Sequence, residues 1–341
     1  MRVLYGVQAT GNGHISRARA MGKYLKAEGI AVDFLFSGRP ADQLFDMQQF
    51  GDFQVKTGLT FVTEQGHINY LKTAAQAKPL ELWRDIRALD CSAYDLVLTD
   101  FEPITAWAAR RQKKRSVAIG HQYAFLHQIP QIHDTPLSRS IFKWFAPAQQ
   151  QIGLHWHHFN QPILPPIVDL EPAANTADAN KVLVYLPFED QQQVIRWLQP
   201  LTQYQFYLYG PGLSKNQLGH IQCSGPCVDE FKRDLHQSSA VLSNAGFELV
   251  SEALQLQKRI LVKALRGQME QESNALALTQ LQLGQSTSML NTEVIADWLA
   301  SPVQGNTVHY ANVALALATW IRAGACPTEL QQLNLWQNHQ D

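Results

Sequence analysis

Short apolar runs alternate with helical patterns along most of this chain, and that alternation restricts the fold more than any other feature. The runs in the first half are RVLYGV, VDFLFS, DLVLTD and RSVAIG, and those in the second half are KVLVYLP, YQFYLYG, SAVLSN and RILVKAL. Strands that alternate with helices indicate parallel sheets covered on both faces. We therefore predict an α/β protein with two doubly wound, Rossmann-like domains.

The segments between the strands have predicted forms of their own. In the first half we expect one helix from about His14, one from about Pro40 and one through Trp107, with a loop after RSVAIG. In the second half FELVSEALQLQ and EQESNALALTQLQ read as helices. The last helical pattern, NTVHYANVALALATWIRAG, has no strand after it and could pack on either domain.

A proline-rich segment separates the halves. Residues 160–180 hold four prolines followed by small polar residues, which suits an exposed linker. The predicted organisation is an N-terminal domain, a linker, a C-terminal domain and a tail, at residues 1–160, 161–180, 181–323 and 324–341. Two such domains would form a cleft at the carboxyl ends of their strands, where these sheets usually bind ligands.

Composition excludes several classes of function. The 341 residues are 45% hydrophobic, and the formal charge of −1 leaves no basic excess for nucleic acid. No apolar stretch approaches the roughly 20 residues of a membrane span, and the start of the chain is unlike a secretory signal, so we expect a cytoplasmic protein without a transmembrane segment. The cysteines, read as free thiols rather than zinc ligands, are Cys91, Cys223, Cys227 and Cys326.

The stretch ATGNGHISRARA follows the first strand and resembles a dinucleotide fingerprint only in part. Gly11 and Gly13 fit, but Ser16 stands where the third glycine belongs, and FSGRP offers no acidic residue for a ribose. Both departures argue against NAD. What remains is a glycine turn that leads into a helix N-terminus, a place that attracts negative charge.

His14 lies in the first turn of that helix. It could take a proton from an acceptor hydroxyl, or it could hydrogen-bond locally. Arg17 and Arg19 could bind an acidic group, although arginines on a helix usually face solvent. His121 and Tyr123 follow a strand, so we expect them either to open onto the same cleft on the acceptor side or to pack in the core.

The densest signal is SAVLSNAGFELVSEALQLQKRILVKALRGQMEQESNALAL, residues 239–278. A strand ends at Asn244, the small pair Ala245 and Gly246 allows close approach of a ligand, and a helix begins near Phe247. Glu252 lies about two turns into that helix, where a carboxylate can accept hydrogen bonds from vicinal ribose hydroxyls. Further on, Glu270 and Gln271 open another helix, well placed to bind a polyhydroxylated group.

These motifs, in this order, resemble the GT-B nucleotide-sugar glycosyltransferases. The pattern is most similar to the UDP-glucuronosyltransferase-like enzymes and the peptidoglycan N-acetylglucosaminyltransferase, and the set GHISRA, LVLTDFEP, IGHQYAF and EQESNA looks like a bacterial and archaeal branch of predicted glycosyltransferases. The resemblance covers both halves. It implies the GT-B fold, with the acceptor on the first domain and a nucleoside diphosphate sugar, most simply a UDP-sugar, on the second.

The resemblance also implies roles for residues. On the acceptor side His14 would be the general base, and Asp100 would orient it or bind the acceptor. On the donor side Asn244, Ala245 and Gly246 would bind the diphosphate, and Glu252 would bind the ribose. Glu270 and Gln271 would bind the sugar, and the base would lie near the backbone of Cys227 and Val228.

Three further predictions concern the histidine segment, metal binding and an aromatic segment. GLHWHHFNQP places His155 and His157 on one face of an expected strand, but packing is favoured over metal binding. No D-x-D pair stands at the expected strand ends, so we predict no metal and no cofactor besides the donor. SRSIFKWFAPAQQQIGLHW is either a buried helix with a polar edge, which we favour, or a membrane-surface patch for a lipid-linked or cell-envelope acceptor at the inner membrane face.

The sequence thus predicts a metal-independent, inverting glycosyltransferase with a hydroxyl acceptor. Two alternatives are a nucleotide-sugar 2-epimerase on the same fold, for which the acidic residues around the sugar are few, and a non-catalytic nucleotide-sugar-binding protein. His14 beside an intact glycine turn argues against the second.

Overall fold

The computed structural model describes residues 1–59, 63–64, 67–68, 78–132, 134–168, 170, 177–302 and 308–336. Two large sheets organise these residues. The first has the strand order β3-β2-β1-β6-β7-β8, and every neighbouring pair in it is parallel. Its strands are β1 Arg2–Gln8, β2 Ala31–Ser37, β3 Phe53–Lys56, β6 Leu96–Asp100, β7 Ser116–Gly120 and β8 Gln150–Gly153. A separate pair, β4 Thr63–Glu64 and β5 His67–Ile68, is antiparallel.

The second sheet has the order β11-β12-β10-β9-β13-β14-β15. It is parallel except for the edge pair of β11 and β12. Its strands are β9 Asp178–Tyr185, β10 Gln205–Tyr209, β11 Asn216–Leu218, β12 Ile221–Ser224, β13 Ser238–Asn244, β14 Arg259–Lys263 and β15 Gln285–Thr287. Both parallel arrays run 3-2-1-4-5-6 in their own strand numbering, which is the doubly wound order.

Helices cover the sheets. They are α1 Asn12–Ala27, α2 Pro79–Ala88, α3 Pro103–Arg111, α4 Pro136–Trp144, α5 Gln191–Leu198, α6 Val228–Gln237, α7 Phe247–Gln255, α8 Met269–Gln280, α9 Thr292–Ala300, α10 Val313–Arg322 and α11 Pro327–Leu330. The central strands are buried on both faces, as β6 shows with all of its residues buried. Such continuous apolar runs are the reason that the parallel sheets could be predicted.

Three local expectations for the first half are wrong. After β2 the chain forms only short 3-10 turns, Ala41–Gln43 and Gln48–Phe50, instead of a helix from Pro40. After β7 it forms a 3-10 helix, His121–Leu126, instead of a loop. The proline-rich segment is not an exposed linker, because Ile163 and Ile167 are each only 2% exposed and β9 begins before its expected end. Residues 169 and 171–176 of that segment lie outside the described residues.

Helix α10 returns to the first half of the chain and packs on α1. The Asn312 side chain, which caps α10, donates to the Tyr24 hydroxyl at 2.7 Å, and the Thr319 hydroxyl donates to Glu28 at 3.0 Å. The C-terminal segment therefore belongs structurally to the layer that carries α1. Residues 337–341 of the predicted tail lie outside the described part.

Candidate active site

The strand order places two loops of each sheet where ligands bind in doubly wound folds. In the first sheet the order reverses between β1 and β6, and in the second it reverses between β9 and β13. Crevices at the carboxyl ends of such strand pairs are the usual ligand sites. The turn after β1 leads through Gly11 into α1, and β6 ends at Asp100, so the predicted His14 and Asp100 meet at one edge of the sheet.

His14 and Asp100 form a hydrogen-bonded pair. His14 Nδ1 lies 2.7 Å from Asp100 Oδ1, and the two side chains are 14% and 0% exposed. Burial raises the pKa of Asp100, but the Arg17 guanidinium and the His14 imidazole outweigh it and hold that pKa below the usual value. An ionised carboxylate only accepts hydrogen bonds, so a bond from His14 to Asp100 requires the proton on Nδ1, and Arg17 Nη2, 3.0 Å from Nδ1, is then a close contact rather than a bond. Nε2 of His14 is then the lone-pair nitrogen that can accept a proton.

Arg17 is buried behind this pair, not in solvent as expected. Its Nε and Nη2 atoms donate to the two oxygens of Asp100, each at 2.7 Å, and Nη1 donates to Glu248 Oε1. Although burial lowers the pKa of Arg17, the carboxylates of Asp100 and Glu248 raise it above its ordinary value. The guanidinium is therefore permanently charged. Its spacing of three residues from His14, which puts both on one helix face, is the signal that could have located it.

Glu248 reaches this cluster from the opposite side of the cleft. It stands in the first turn of α7, two residues after the turn at Gly246, and is 9% exposed. Burial raises the pKa of Glu248 to about 8; the Arg17 charge opposes that shift, and the Asp100 charge adds to it. Sequence reasoning missed Glu248, since its partners lie more than 140 positions away.

Gly13 lies where α1 packs against Glu248 of α7. A Cβ atom built on Gly13 would lie 2.8 Å from Glu248 Cγ, whereas one on Gly11 would meet nothing within 4 Å. The absence of a side chain at Gly13 thus allows Glu248 to reach Arg17.

We expect Gly13→Ala to lower the free energy of unfolding by about 1–3 kcal/mol, because the added methyl group collides with Glu248 in a packed contact. Urea unfolding curves measure this difference. Gly11→Ala is the matched control, since it adds the same methyl group at the same turn without a contact, and a loss as large as that of Gly13→Ala would show that the contact is not the cause.

The donor-side turn after β13 carries unsatisfied polar groups. The N-terminus of α7 at Gly246 has no side-chain cap, so its first N–H groups are available to an anion. Ser243 Oγ and Asn244 Oδ1 are buried and without a hydrogen-bond partner, as is Gln122 Oε1 on the other wall. Buried polar atoms are normally satisfied, and groups left over at a strand edge point to a polar ligand. Ala245 is buried beside them, and its carbonyl accepts from Asn274.

Glu252 and Glu270 both bond across the cleft. Ser16 Oγ donates to Glu252 Oε1 at 3.2 Å, and Gln122 Nε2 donates to Glu270 Oε2 at 3.1 Å. The two predicted donor-side carboxylates therefore face the first half of the chain. A ligand that takes up these oxygens would have to replace both hydrogen bonds.

Two other predicted donor positions are engaged within the protein. Gln271 is 5% exposed and its Oε1 accepts from the backbone N–H of Leu265 at 2.9 Å, so the side chain holds the loop before α8. Cys227 precedes α6, and the N–H of Val228 donates to Asp46 Oδ2 at 2.9 Å.

Arg19, expected in solvent, donates to the carbonyls of the loop that carries Asp46.

Neither His121 nor Tyr123 opens onto the cleft. Tyr123 is fully buried and its hydroxyl donates to the carbonyl of Ala146 at 2.9 Å, which is the core-packing alternative. The His121 ring is 1% exposed, stacks on Phe247 with ring centres 3.9 Å apart, and lies 2.7 Å from Asn274 Oδ1. Burial lowers the pKa of His121, so the ring serves as neutral packing between the two halves.

The histidine segment and helix α4 also differ from expectation. β8 ends at Gly153, so His155 and His157 lie beyond it, and His155 is buried. Within the described residues, no group of three or more His, Cys, Asp or Glu side chains is arranged to hold a metal ion. The prediction that SRSIFKWFAPAQQQIGLHW forms a buried helix is wrong, because Ile141 and Trp144 of α4 are 46% and 42% exposed.

One further charged group was missed. Lys263 ends β14 beside Asn244, and its Nζ donates to Glu189 Oε1 at 2.5 Å in the loop after β9. A cation at the carboxyl edge of the second sheet suits the negative charge of a phosphate. Only the position at a strand end signals it in the sequence.

Comparisons with known proteins agree with this architecture. Residues 1–302 match the model of the family described as glycosyl transferase family 1. A comparison with curated protein sequences gave no match. Among the described residues, no helix is long and apolar enough to cross a membrane.

Solved glycosyltransferase structures share the fold at low sequence identity. SnogD from Streptomyces nogalater is 16% identical, with 98% of this chain and 94% of that chain covered and a TM-score of 0.53. SsfS6 from Streptomyces sp. SF2575, complexed with thymidine diphosphate, is 11% identical, with 99% of each chain covered and a TM-score of 0.54. UGT89C1 from Arabidopsis thaliana, complexed with UDP, is 12% identical, with 99% and 98% covered and a TM-score of 0.57.

The two doubly wound sheets, the site between them and the family match lead to one assignment. The GT-B fold expected from the motifs is confirmed, and the chain belongs to glycosyl transferase family 1 and is a glycosyltransferase.

Proposed function

We propose that this glycosyltransferase moves a sugar from a nucleoside diphosphate sugar to a hydroxyl acceptor, with inversion and without a metal ion. The observation that carries the proposal is the His14–Asp100 pair, at 2.7 Å, on the edge of the first sheet, across from the uncapped N-terminus of α7. One wall supplies a base and the other a site for negative charge. The 2-epimerase alternative is not favoured.

The proposed reaction is a single displacement. Nε2 of His14 takes the proton of the acceptor hydroxyl while that oxygen forms a bond to the anomeric carbon. The bond from the anomeric carbon to the diphosphate oxygen breaks, and its electron pair leaves with the nucleoside diphosphate. Asp100 stabilises the imidazolium, and the first N–H groups of α7, with Lys263 nearby, stabilise the leaving group. Attack opposite the leaving group inverts the anomeric centre.

We assign the donor parts to the residues at the second sheet. Asn244, Ala245 and Gly246 would take the diphosphate, Glu252 the ribose, and Glu270 the sugar, with the backbone at Cys227 and Val228 near the base. The resemblance to UDP-glucuronosyltransferase-like and peptidoglycan enzymes favours a UDP-sugar. Gln271 supports this site from behind, through its bond to Leu265.

The test is a panel of nucleoside diphosphates, followed by product analysis with the matching sugar donors. A nucleotide at 100 times its Kd should raise the free energy of unfolding by about 2.7 kcal/mol, and the melting temperature with it. No stabilisation by any nucleoside diphosphate would refute the donor site. Binding without transfer to any acceptor would favour the non-catalytic binding protein, and an epimerised donor without transfer would favour the epimerase.

Glu252→Gln is expected to weaken binding of UDP by about 10- to 100-fold, because hydrogen bonds to a charged group contribute about 1.5–3 kcal/mol. Calorimetric titration measures Kd. The loss should be smaller for thymidine diphosphate, whose sugar lacks the 2′-hydroxyl. Glu293→Gln, an exposed change on α9, is the control, and equal losses for both nucleotides would contradict the ribose assignment.

We further propose that the acceptor is lipid-linked and that the first half of the chain rests on an anionic membrane surface. Its tryptophan face, formed by Leu80, Trp83, Ile141 and Trp144, exposes 79%, 57%, 46% and 42% of those residues. Helices α2, α3 and α4 are neighbours here, since the Arg111 guanidinium donates to the carbonyl of Arg87 and the Arg110 guanidinium lies 4.8 Å from the Trp144 ring centre.

Charge on the tryptophan face supports an anionic bilayer as the partner. The exposed basic side chains around it are Arg84, Arg87, Arg110, Arg111 and Lys143, in a chain whose formal charge is −1. Aromatic rings interleaved with cations are typical of surfaces that sit at the headgroup level of a membrane.

Replacing Trp83 and Trp144 with alanine should weaken binding to vesicles of anionic phospholipid by about 100-fold or more, because the loss of each ring removes roughly 1.5–3 kcal/mol of apolar burial. Sedimentation with vesicles measures the effect. Met289→Ala, 65% exposed on the second half, is the control. Failure of the unaltered protein to sediment with anionic vesicles at low salt would refute the membrane surface without touching the transfer reaction.

A further inference from the structure

We propose that Glu248, which comes from the donor-side helix α7, is a positioning residue for the base: by pairing with Arg17 it offsets the guanidinium charge, so that Asp100 can stabilise the His14 imidazolium. This inference rests on the proposed function. It concerns a carboxylate that lies outside the His14–Asp100 pair and that makes no contact with His14 in the hydrogen-bond network.

The argument begins with the charge that the cluster holds. Arg17 forms two hydrogen bonds to Asp100, so these two groups together are neutral. A neutral pair offers no net attraction to an imidazolium, and the guanidinium nitrogen Nη2, 3.0 Å from His14 Nδ1, repels one. With Glu248 also ionised, the Arg17–Asp100–Glu248 group carries one negative charge. When His14 holds the proton taken from the acceptor, this group and the imidazolium together are neutral.

Burial gives this charge count its weight. Arg17 and Asp100 are 2% and 0% exposed, and Glu248 is 9% exposed, so water screens their charges poorly. Glu248 is linked to His14 through the Arg17 guanidinium, which contacts both, and a nearby opposite charge can change the proton affinity of a group by about 1–3 pKa units. Removing the Glu248 charge would therefore weaken the base even though the distance between His14 and Asp100 stayed at its present value.

The origin of Glu248 links the base to the donor side. It is fixed two residues after Gly246, in the turn assigned to the diphosphate, and it reaches Arg17 only where Gly13 leaves room. Separation of α7 from α1 would break the bond from Arg17 to Glu248 and leave the guanidinium wholly on Asp100. The base is therefore complete only when the two walls of the cleft are together.

The surroundings of Glu248 make its charge depend on pH. The charged and titratable groups that act on it are Tyr5 of β1, Arg17 of α1, Asp100 of β6, Glu252 of α7 and Glu270 of α8. Burial, with the neighbouring carboxylates, raises the pKa of Glu248 to about 8 against the opposing Arg17 charge. Glu248 is ionised above that value and neutral below it, so kcat should rise as the pH passes upward through about 8.

The experiment compares Glu248→Gln with the unaltered protein and with Glu293→Gln, from about pH 6 to about pH 10. We expect Glu248→Gln to lower kcat about 10- to 100-fold, to leave KM for the donor within about threefold, and to lose the rise near pH 8. Glu248→Asp should recover part of kcat, since it restores the charge. An unchanged kcat, a loss confined to melting temperature, or a raised donor KM with normal kcat would each overturn the inference.

A second measurement needs no turnover and so separates this inference from the proposed function. The NMR signals of the His14 ring in the unliganded protein should change as the pH passes through about 8, because Glu248 gains its charge there, and this change should be absent from Glu248→Gln. No change near pH 8 in the unaltered protein would overturn the inference even if transfer occurs. Absence of transfer by the unaltered protein with every donor would refute the proposed function, while a change near pH 8 that depends on Glu248 would still support the link between Glu248 and His14.

Discussion

His14→Ala should lower kcat by about 10²- to 10⁴-fold while leaving the Kd of the nucleotide unchanged. The reason is geometric: in the described structure His14 offers a ring nitrogen at the cleft while its other nitrogen is fixed to Asp100. Steady-state transfer assays give kcat, and calorimetric titration gives Kd. His309→Ala, an exposed histidine on the second half, controls for the substitution itself.

The pair should behave as one unit in this reaction. Asp100→Asn leaves the ring without its carboxylate, so the double variant His14→Ala, Asp100→Asn should be scarcely slower than His14→Ala alone. If the two losses instead multiply, Asp100 acts separately, for example on the acceptor. Transfer at the normal rate by His14→Ala would remove the proposed base altogether.

Arg17→Met should lower the free energy of unfolding by about 3–5 kcal/mol at neutral pH, since it leaves the buried carboxylate of Asp100 without its cation. Urea unfolding measures the loss, and Arg196→Met, at an exposed position on α5, is the control. Adding Asp100→Asn to Arg17→Met should restore much of the stability, because no uncompensated charge then remains.

The acid dependence of this loss has a definite sign. The pKa of Asp100 is depressed in the folded protein by Arg17 and His14, against the effect of burial, so its contribution to stability is present above the unfolded value of about 4 and disappears as the pH falls through the folded one. The difference between Arg17→Met and the unaltered protein should therefore shrink in acid. A difference that is constant down to low pH would mean that Arg17 stabilises by packing alone.

The parts of this site that depend on consecutive residues could be predicted from the sequence. The glycine turns before α1 and α7, and the strand ends at Asp100 and Asn244, are read from a few consecutive residues because a doubly wound fold brings strand ends to one edge. The two sheets could be predicted for the same reason. The shared fold bears out the prediction of the two sheets.

Contacts between the halves could not be predicted in this way. Arg17 was expected at the surface because its neighbours in sequence do not indicate the two buried carboxylates. Tyr123 was a candidate for the cleft because side chains that follow a strand end usually face the ligand site. The helix expected from Pro40 is absent, and two short 3-10 turns lead instead to the edge strand β3. In each instance a partner distant in sequence, or the edge of the sheet, decides the outcome, and tertiary context overrides local preference.

The return of α10 to α1 has a consequence for how the cleft can open. The chain crosses between its two halves twice, once after β8 and again between α9 and α10. One connection would let the halves rotate about each other in any direction, whereas two connections restrict them to rotation about the line that joins the connections. Opening and closing of the cleft would then follow this single rotation, and each closure would return Glu248 to the same position beside Arg17.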